Sequence, residues 1–276
     1  MSKEKSIIDL AKEAQEAPQT NEPAPSLNSD SFSNVPEDEN MKATLEGLLE
    51  NVHSKLQYKE VELPSKGLFY KGTSKVSVRP LIFEDERNLR NLQTSDDINT
   101  MLNSILSACT KGVPPEILTP PDRLYILFKI RELSYGDDYK LEQNCNHCGV
   151  KNSLTLKISS LKVDYLEEDY TTFTLPDSQK SVSIRVPRAS QMEGLGSLDS
   201  IMNNLYKFVH SVEGINDATI IEEFIRRTTV KDVDVLRTKI FIPSYGMEDK
   251  LLFNCMKCGE VTKANVIMNE YFFTTN

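Results

Sequence analysis

The chain has no tryptophan and only three histidines among its 276 residues. No His-x-Glu pair precedes a Cys-x-x-Cys turn, as a zinc nucleobase deaminase requires. No run approaches the ~18 consecutive apolar residues of a spanning helix, so a spanning helix is excluded. The N-terminus lacks the apolar stretch of a secretory signal, since Ile7-Ile8 is followed at once by Asp9. There is no Gly-x-x-x-x-Gly-Lys-Ser/Thr phosphate loop. Gly194-Leu195-Gly196 lacks both a preceding strand and a third glycine, which argues against dinucleotide binding. No Gly-x-Ser-x-Gly elbow occurs. Basic residues are scattered, and Arg226-Arg227 is too small a patch to track a nucleic-acid backbone. The net charge of −9 also argues against a polyanion as main partner.

What is present suits one large domain or two small ones. Hydrophobic residues make up 39% of the chain, enough to build a core. The charge is uneven. Residues 1–40 hold nine acids and three lysines, and Pro18, Pro23, Pro25 and Pro36 stand among Ser, Asn, Gln and Glu. So few apolar residues cannot offset the entropy of ordering, and 1–40 reads as a disordered acidic tail in which Ser6 to Ala17 could become helical on a partner. Leu45, Leu48, Leu49, Val52 and Leu56 at helical spacing predict an amphipathic helix over 41–58. Pro64-Ser65-Lys66-Gly67 predicts a turn, and Lys75 to Arg79 alternates like a strand. Helices are expected near 83–93 and over Ile98 to Cys109. Another should start with Thr119 as N-cap and Pro120 in the first turn. Glu84-Asp85-Glu86 and Glu167-Glu168-Asp169 read as helix starts or solvated faces.

The chain repeats itself. Leu63-Pro64 is echoed by Leu175-Pro176, and Ser77-Val78-Arg79 by Ser183-Ile184-Arg185. Thr119, Asp122, Lys129, Ile130 and Ser134-Tyr135-Gly136 recur at one fixed offset as Thr229, Asp232, Lys239, Ile240 and Ser244-Tyr245-Gly246. Asn144-Cys145, Cys148 and Gly149 recur at the same offset as Asn254-Cys255, Cys258 and Gly259. The strand matches at a slightly shorter offset, so the second copy has a few extra residues between strand and last helix. The expectation is an α+β fold with two copies of a strand–helices–knuckle unit, over 60–160 and 172–270. Two units of this length are not a solenoid.

Five cysteines is an odd number, and four lie in close pairs. A metal site in a reducing compartment fits this better than a disulfide framework. A Cys-x-x-Cys turn lets two sulfurs of one loop reach one ion, and a following glycine permits positive φ. Each knuckle is preceded by apolar residues and followed by strand-like alternation, the layout of a zinc-ribbon half. The halves of a compact ribbon lie roughly 15–20 residues apart. Here the span from Cys148 to Cys255 is several times longer, which duplication explains. Cys145, Cys148, Cys255 and Cys258 are therefore expected to share one structural zinc and to clip the two copies together. Four thiolates leave no open position for catalysis. A redox pair or an iron–sulfur cluster is the competing reading. His147 could replace a sulfur, but its counterpart is Lys257, so it reads as an exposed knuckle residue. Cys109 reads as a buried small hydrophobe, and His53 and His210 as ordinary residues of helical stretches.

Gly67-Leu68-Phe69-Tyr70 places large apolar side chains after a tight turn. Leu68, Phe69 and Tyr70 either pack on the protein's own core or anchor a protein partner. Leu63-Pro64-Ser65-Lys66-Gly67-Leu68-Phe69-Tyr70, then Val76-Ser77-Val78-Arg79-Pro80-Leu81 and the acidic helix start at Glu84, resembles the opening of T-even-like phage baseplate hub proteins. The resemblance covers about 60–270 and is most specific over 63–90. It implies a non-enzymatic hub subunit or hub-assembly factor, with other baseplate hub or tail proteins as partners and self-association as a further option. It also implies synthesis in the bacterial host cytoplasm, with the virion baseplate as a second location. No catalytic residues carry over. The rival readings are a zinc-ribbon nucleic-acid-binding regulator, disfavoured by the charge, and an enzyme with an unrecognised pocket.

Overall fold

In a computed structural model, the described residues are 39–92, 98–192, 195, 197–248, 250–266 and 272–273. Nearly all of the expected acidic tail, and Gly194 and Gly196, lie outside them. Helix and sheet are mixed, as an α+β class requires. The chain divides into Met1–Lys55 and Leu56–Asn276. In the first, α1 runs over Glu39–Lys55, starting slightly earlier than its apolar spacing suggests. Leu45, Leu48 and Val52 on it are exposed.

The larger unit begins with an antiparallel sheet of order β1-β2-β3, formed by Lys59–Glu62, Lys75–Val78 and Thr110–Lys111. Val76 and Val78 alternate inward and are buried. The turn between β1 and β2 closes through Leu63 N–H to Ser74 O at 2.8 Å. Gly67 sits there at φ +76°, and a Cβ on it would meet the Thr73 carbonyl carbon at 2.5 Å. Only glycine fits that position. Helices α2 (Phe83–Leu92), α3 (Ile98–Cys109) and α4 (Pro120–Tyr135) follow. Ile82 caps α2: its carbonyl accepts from Glu86 N–H at 3.1 Å, and its N–H donates to Asp85 Oδ2 at 2.9 Å. That is half of a capping box. Asp85 also takes Nη1 and Nη2 of Arg79 at 2.7 and 3.2 Å. The Arg-Pro strand end is thereby bolted to the acidic helix start. α4 stops at Gly136, φ 89°.

The next elements are β4 (Asp138–Asn144), β5 (Lys151–Lys157) and β6 (Val163–Asp164). A second sheet of order β7-β8-β9 comprises Thr172–Thr174, Ser181–Ile184 and Val209–Val212. Helices α5 (Leu198–Asn204), α6 (Ala218–Arg227) and α7 (Val230–Phe241) belong with it. β10 (Gly246–Met247) pairs with β6, and β11 (Lys250–Asn254) with β12 (Val261–Asn265).

The two sheets share their construction. Arg79 N–H donates to Cys109 O at 2.9 Å and Arg185 N–H to Phe208 O at 2.7 Å. In the first half, Asp122 Oδ1 accepts from Ser65 N–H at 3.0 Å; in the second, Asp232 Oδ1 accepts from Asp177 N–H at 2.9 Å. In each, a carboxylate from the helix start holds the Leu-Pro turn. Ser178 N–H and the Thr228 hydroxyl also donate to Asp232, and these donors outweigh burial and keep its pKa below the usual carboxylate value. Before its last helix the second half carries α6, where the first has only a 3-10 turn at Pro115–Ile117.

The hydrophobic residues form two clusters. One holds Leu63, Val76, Val78, Ile126 and Ile130; the other holds Leu175, Val182, Ile184, Leu236 and Ile240. Met247, Val266, Phe272 and Phe273 join the first cluster, far from them in sequence. Phe272 meets Phe128 edge-on at 4.9 Å, and the buried Arg131 guanidinium lies 5.0 Å from the Tyr139 ring and 5.8 Å from the Phe272 ring. α4 is therefore buried on most sides, whereas α7 buries only Asp232, Leu236 and Ile240.

Candidate metal centre

β4 and β5 pair over their whole length, from Asp138↔Lys157 to Asn144↔Lys151. β11 and β12 do the same from Lys250↔Asn265 to Asn254↔Val261. Each hairpin ends in a Cys-x-x-Cys-Gly knuckle. In the first, Cys145 N–H donates to Val150 O at 2.8 Å and Gly149 N–H to Cys145 O at 3.0 Å. In the second, Cys255 N–H donates to Glu260 O and Gly259 N–H to Cys255 O, both at 2.9 Å. Gly149 and Gly259 close these turns at φ 70° and 74°, where a side chain is strained. The third residue of each knuckle turns its N–H to the first sulfur, His147 to Cys145 and Lys257 to Cys255, at 3.4 Å in both.

The two knuckles face each other. Cys145 Sγ lies 3.6 Å from Cys258 Sγ, and Cys148 Sγ lies 3.6 Å from Cys255 Sγ. All four sulfurs lie within 4.8 Å of one another. Thiolates on one tetrahedral ion with ~2.3 Å bonds stand ~3.8 Å apart, so the spacing suits a single ion. Cys145 and Cys255 are buried, Cys148 is half-buried and Cys258 exposed, which leaves one side open for metal entry. The Cys145 thiol is pulled down to about 5, first by the Thr262 hydroxyl and then by the Cys148 N–H. The Cys255 thiol is lowered mainly by the Cys258 N–H. Both shifts favour the thiolate, the form that binds metal, whereas the Cys258 thiol goes the other way: against the Glu260 N–H, desolvation and the other three sulfurs push it up to about 12.

Two contacts cross between the hairpins that the cysteine spacing alone does not reveal. Thr262 Oγ1 of the second reaches Cys145 Sγ of the first at 3.4 Å. Asn152 Nδ2 of the first reaches Cys255 Sγ of the second at 3.7 Å, and its Oδ1 accepts from Met256 N–H at 3.0 Å. Asn152 and Thr262 hold matching places after the two knuckles, and both are 1% exposed.

A family described as T4 bacteriophage base plate protein matches residues 55–224, more than half of the chain. The chain belongs to this family. No curated protein and no solved structure matches it. It is thus a T4-like phage baseplate protein, and a structural family of this kind points away from catalysis. The match takes in the Leu63–Leu81 motif and the first knuckle but ends before the second.

The remaining candidates of this baseplate protein sort by their surroundings. Tyr70 is not an exposed anchor. It is 5% exposed, its hydroxyl donates to Asp122 Oδ2 at 2.7 Å and accepts from Thr119 N–H at 2.7 Å. Burial and the Asp122 charge raise its pKa. Phe69 is half-buried against Tyr170 and Tyr245. Leu68 alone of the three is exposed. Thr119 is the N-cap, but its hydroxyl donates to the Asp122 carboxylate at 2.8 Å instead of accepting a backbone N–H. Tyr245, from the second half, donates to that same hydroxyl at 3.1 Å. Cys109 is fully buried beside Asp85, and desolvation pushes its thiol up to about 12, the behaviour of an inert core residue. His147 is exposed. His210 lies on β9, not on a helix, with Nδ1 3.2 Å from Arg185 Nη2. The side chain of His53 lies outside the described residues. Arg226 and Arg227 pair with Glu222 and Glu223 on their own helix. A groove of about 780 Å³ beside α6 contains Asp177, Glu223 and Arg227. Asp177 is paired with Lys231, and Glu223 with Arg227. None of the helices among the described residues is long and apolar enough to cross a membrane.

Proposed function

We propose that this baseplate-family protein is a non-enzymatic structural or assembly subunit of the baseplate hub, made of two copies of one unit and clipped by a structural zinc on Cys145, Cys148, Cys255 and Cys258. The observation that carries the reading is the convergence of the four sulfurs, two from each hairpin, within 4.8 Å. Zinc suits an all-thiolate tetrahedral set, and metal bound only by the folded chain adds directly to stability. In such a site the zinc supplies cross-linking, not chemistry. The copies are supported by the shared sheet order, the Asp122 and Asp232 turn anchors and the knuckle hydrogen bonds.

The hub role rests on the Leu-Pro-Ser-Lys-Gly turn and Val-x-Val-Arg-Pro strand, which sit inside the family match. The protein works in the host cytoplasm while the tail is built, and its partners are other hub and tail proteins. Leu68, exposed on the turn, is one contact to them. Elemental analysis of purified protein should find one zinc per chain; a chain without metal, or an iron–sulfur chromophore, would sink the zinc assignment. Phage lacking the gene should accumulate baseplate parts without a joined hub, and normal hubs in those lysates would refute the assembly role.

A further inference from the structure

We propose that Asn152 and Thr262 are positioning residues that hold the two half-sites in register across the hairpin boundary. The inference rests on the metal reading above and deepens it. Each residue follows its own knuckle at the same place, the second residue of β5 or of β12. Each points inward and is buried, where a polar group needs a partner. Neither finds its sulfur partner in its own hairpin. Thr262 reaches Cys145 and Asn152 reaches Cys255, so the two contacts cross reciprocally.

Asn152 does more than touch a sulfur. Its amide donates to Val150 O at 3.0 Å in its own knuckle and accepts from Met256 N–H in the other. One side chain therefore fixes two backbones relative to each other. Thr262 can donate one proton, and a thiolate at Cys145 accepts it. The first cysteine of each knuckle thus receives N–H donors from its own loop and a side-chain donor from the opposite strand. Donors to thiolate spread the charge of an all-sulfur site, and outer partners of this kind tune metal affinity by about 10–100-fold. The cross-over also explains how half-sites so far apart in sequence find a common geometry: the strands that follow the knuckles carry the alignment.

The test uses full-length protein loaded with cobalt(II), whose thiolate charge-transfer and ligand-field bands report tetrahedral sulfur coordination, with zinc affinity read by competition against a chromophoric chelator. Thr262→Val keeps the shape and removes the hydroxyl. It should weaken zinc binding at least about tenfold and shift the cobalt bands, while Thr262→Ser restores both. Asn152→Leu should do the same and also loosen hydrogen-exchange protection at Met256 N–H. The exchanged pair, Asn152→Thr with Thr262→Asn, should stay nearer the parent than either single removal. Parental affinity and bands in Thr262→Val and Asn152→Leu overturn the inference while leaving the zinc site intact. Should either removal fail to fold, the Ser variant and the exchanged pair decide: both weaker than the parent by about a hundredfold would overturn it. A parent protein without a tetrahedral thiolate spectrum overturns the metal reading, and the inference with it.

Discussion

The two knuckle hairpins share a backbone and differ in what they show to solvent. At the sequence offset that relates the two knuckles, Glu142, Asn146 and Lys151 of the first answer to Leu252, Met256 and Val261 of the second. In the first hairpin Glu142 and Lys151 form an exposed ion pair at 2.5 Å. In the second, Leu252, Met256 and Val261 are 69%, 86% and 57% exposed. The sulfur site itself differs far less: the two cysteines, the closing glycine and a buried polar residue after the knuckle are kept in both. The difference teaches that the inside of each hairpin answers to the sulfur site, while the outside is free to specialise. Scattered apolar residues on a surface are ordinary. Three of them clustered on one hairpin, where the sister hairpin is polar, favour contact with another protein.

The hardest way to break this comparison is at the sulfurs. Cys148→Ser and Cys258→Ser remove one ligand from opposite hairpins. If one ion serves both, each should lower the melting temperature of the whole body by a similar amount, on the order of 10 °C. Thermal melts followed by circular dichroism check this. A variant that melts like the parent, or a loss confined to one hairpin, would mean that the knuckles act separately.

Next in size is the outer face. Leu252→Glu, Met256→Asn and Val261→Lys together give the second hairpin the surface of the first at these three positions. Stability should change by less than about 0.5 kcal/mol, since all three sites are exposed. Association with baseplate components should fall at least about tenfold, as loss of apolar anchors does at an interface. The check is co-purification from infected cells together with titration of any partner identified. Unchanged association would return these residues to ordinary surface.

A smaller effect sharpens the shared backbone. Gly149→Ala and Gly259→Ala each place a Cβ at positive φ, where no neighbour crowds it. The cost is then conformational alone, about 1 kcal/mol, and should be equal in the two knuckles. Denaturant titration reads it. A much larger loss in one knuckle would break the parity of their loops.

Much of this was legible in the sequence, because the strongest signals were local. The Cys-x-x-Cys-Gly turns, the Thr119-Pro120 helix start and the Lys75–Val78 alternation each depend on residues within one turn or strand, and each stands where it was expected. Tyr70 was legible as a core residue only as one of two readings, the other being an exposed anchor. Its fate depends on Asp122 and Thr119, far along the chain, and its neighbours Leu68 and Phe69 gave no hint of which way it points. Asp122 and Asp232 appeared as repeat landmarks, but their work as buried anchors of distant turns needs the fold to be seen. The same holds for Met247, Val266, Phe272 and Phe273, which join the first core although they lie far from it in sequence. Asn152 and Thr262 carried one signal that could have found them: they stand at the same offset as the cysteine pairs, as a polar pair on strands that otherwise alternate.

The smallest expected effect lies in the ion pair that distinguishes the first hairpin. Glu142 and Lys151 are each more than half exposed, so water and salt screen most of their attraction. Replacing them together, Glu142→Leu with Lys151→Val, puts the second hairpin's strand residues at these two places of the first and should shift stability by no more than about 0.5 kcal/mol. Metal content should stay the same, because neither side chain is among the polar partners of the sulfurs. The informative readout is association: an apolar first hairpin should bring self-association or new adhesion, seen by light scattering, while the parental baseplate contacts survive. If instead those contacts are lost, the charged hairpin is itself a docking face. The division between an outer face that binds and an outer face that only stays soluble would then have to be drawn the other way round.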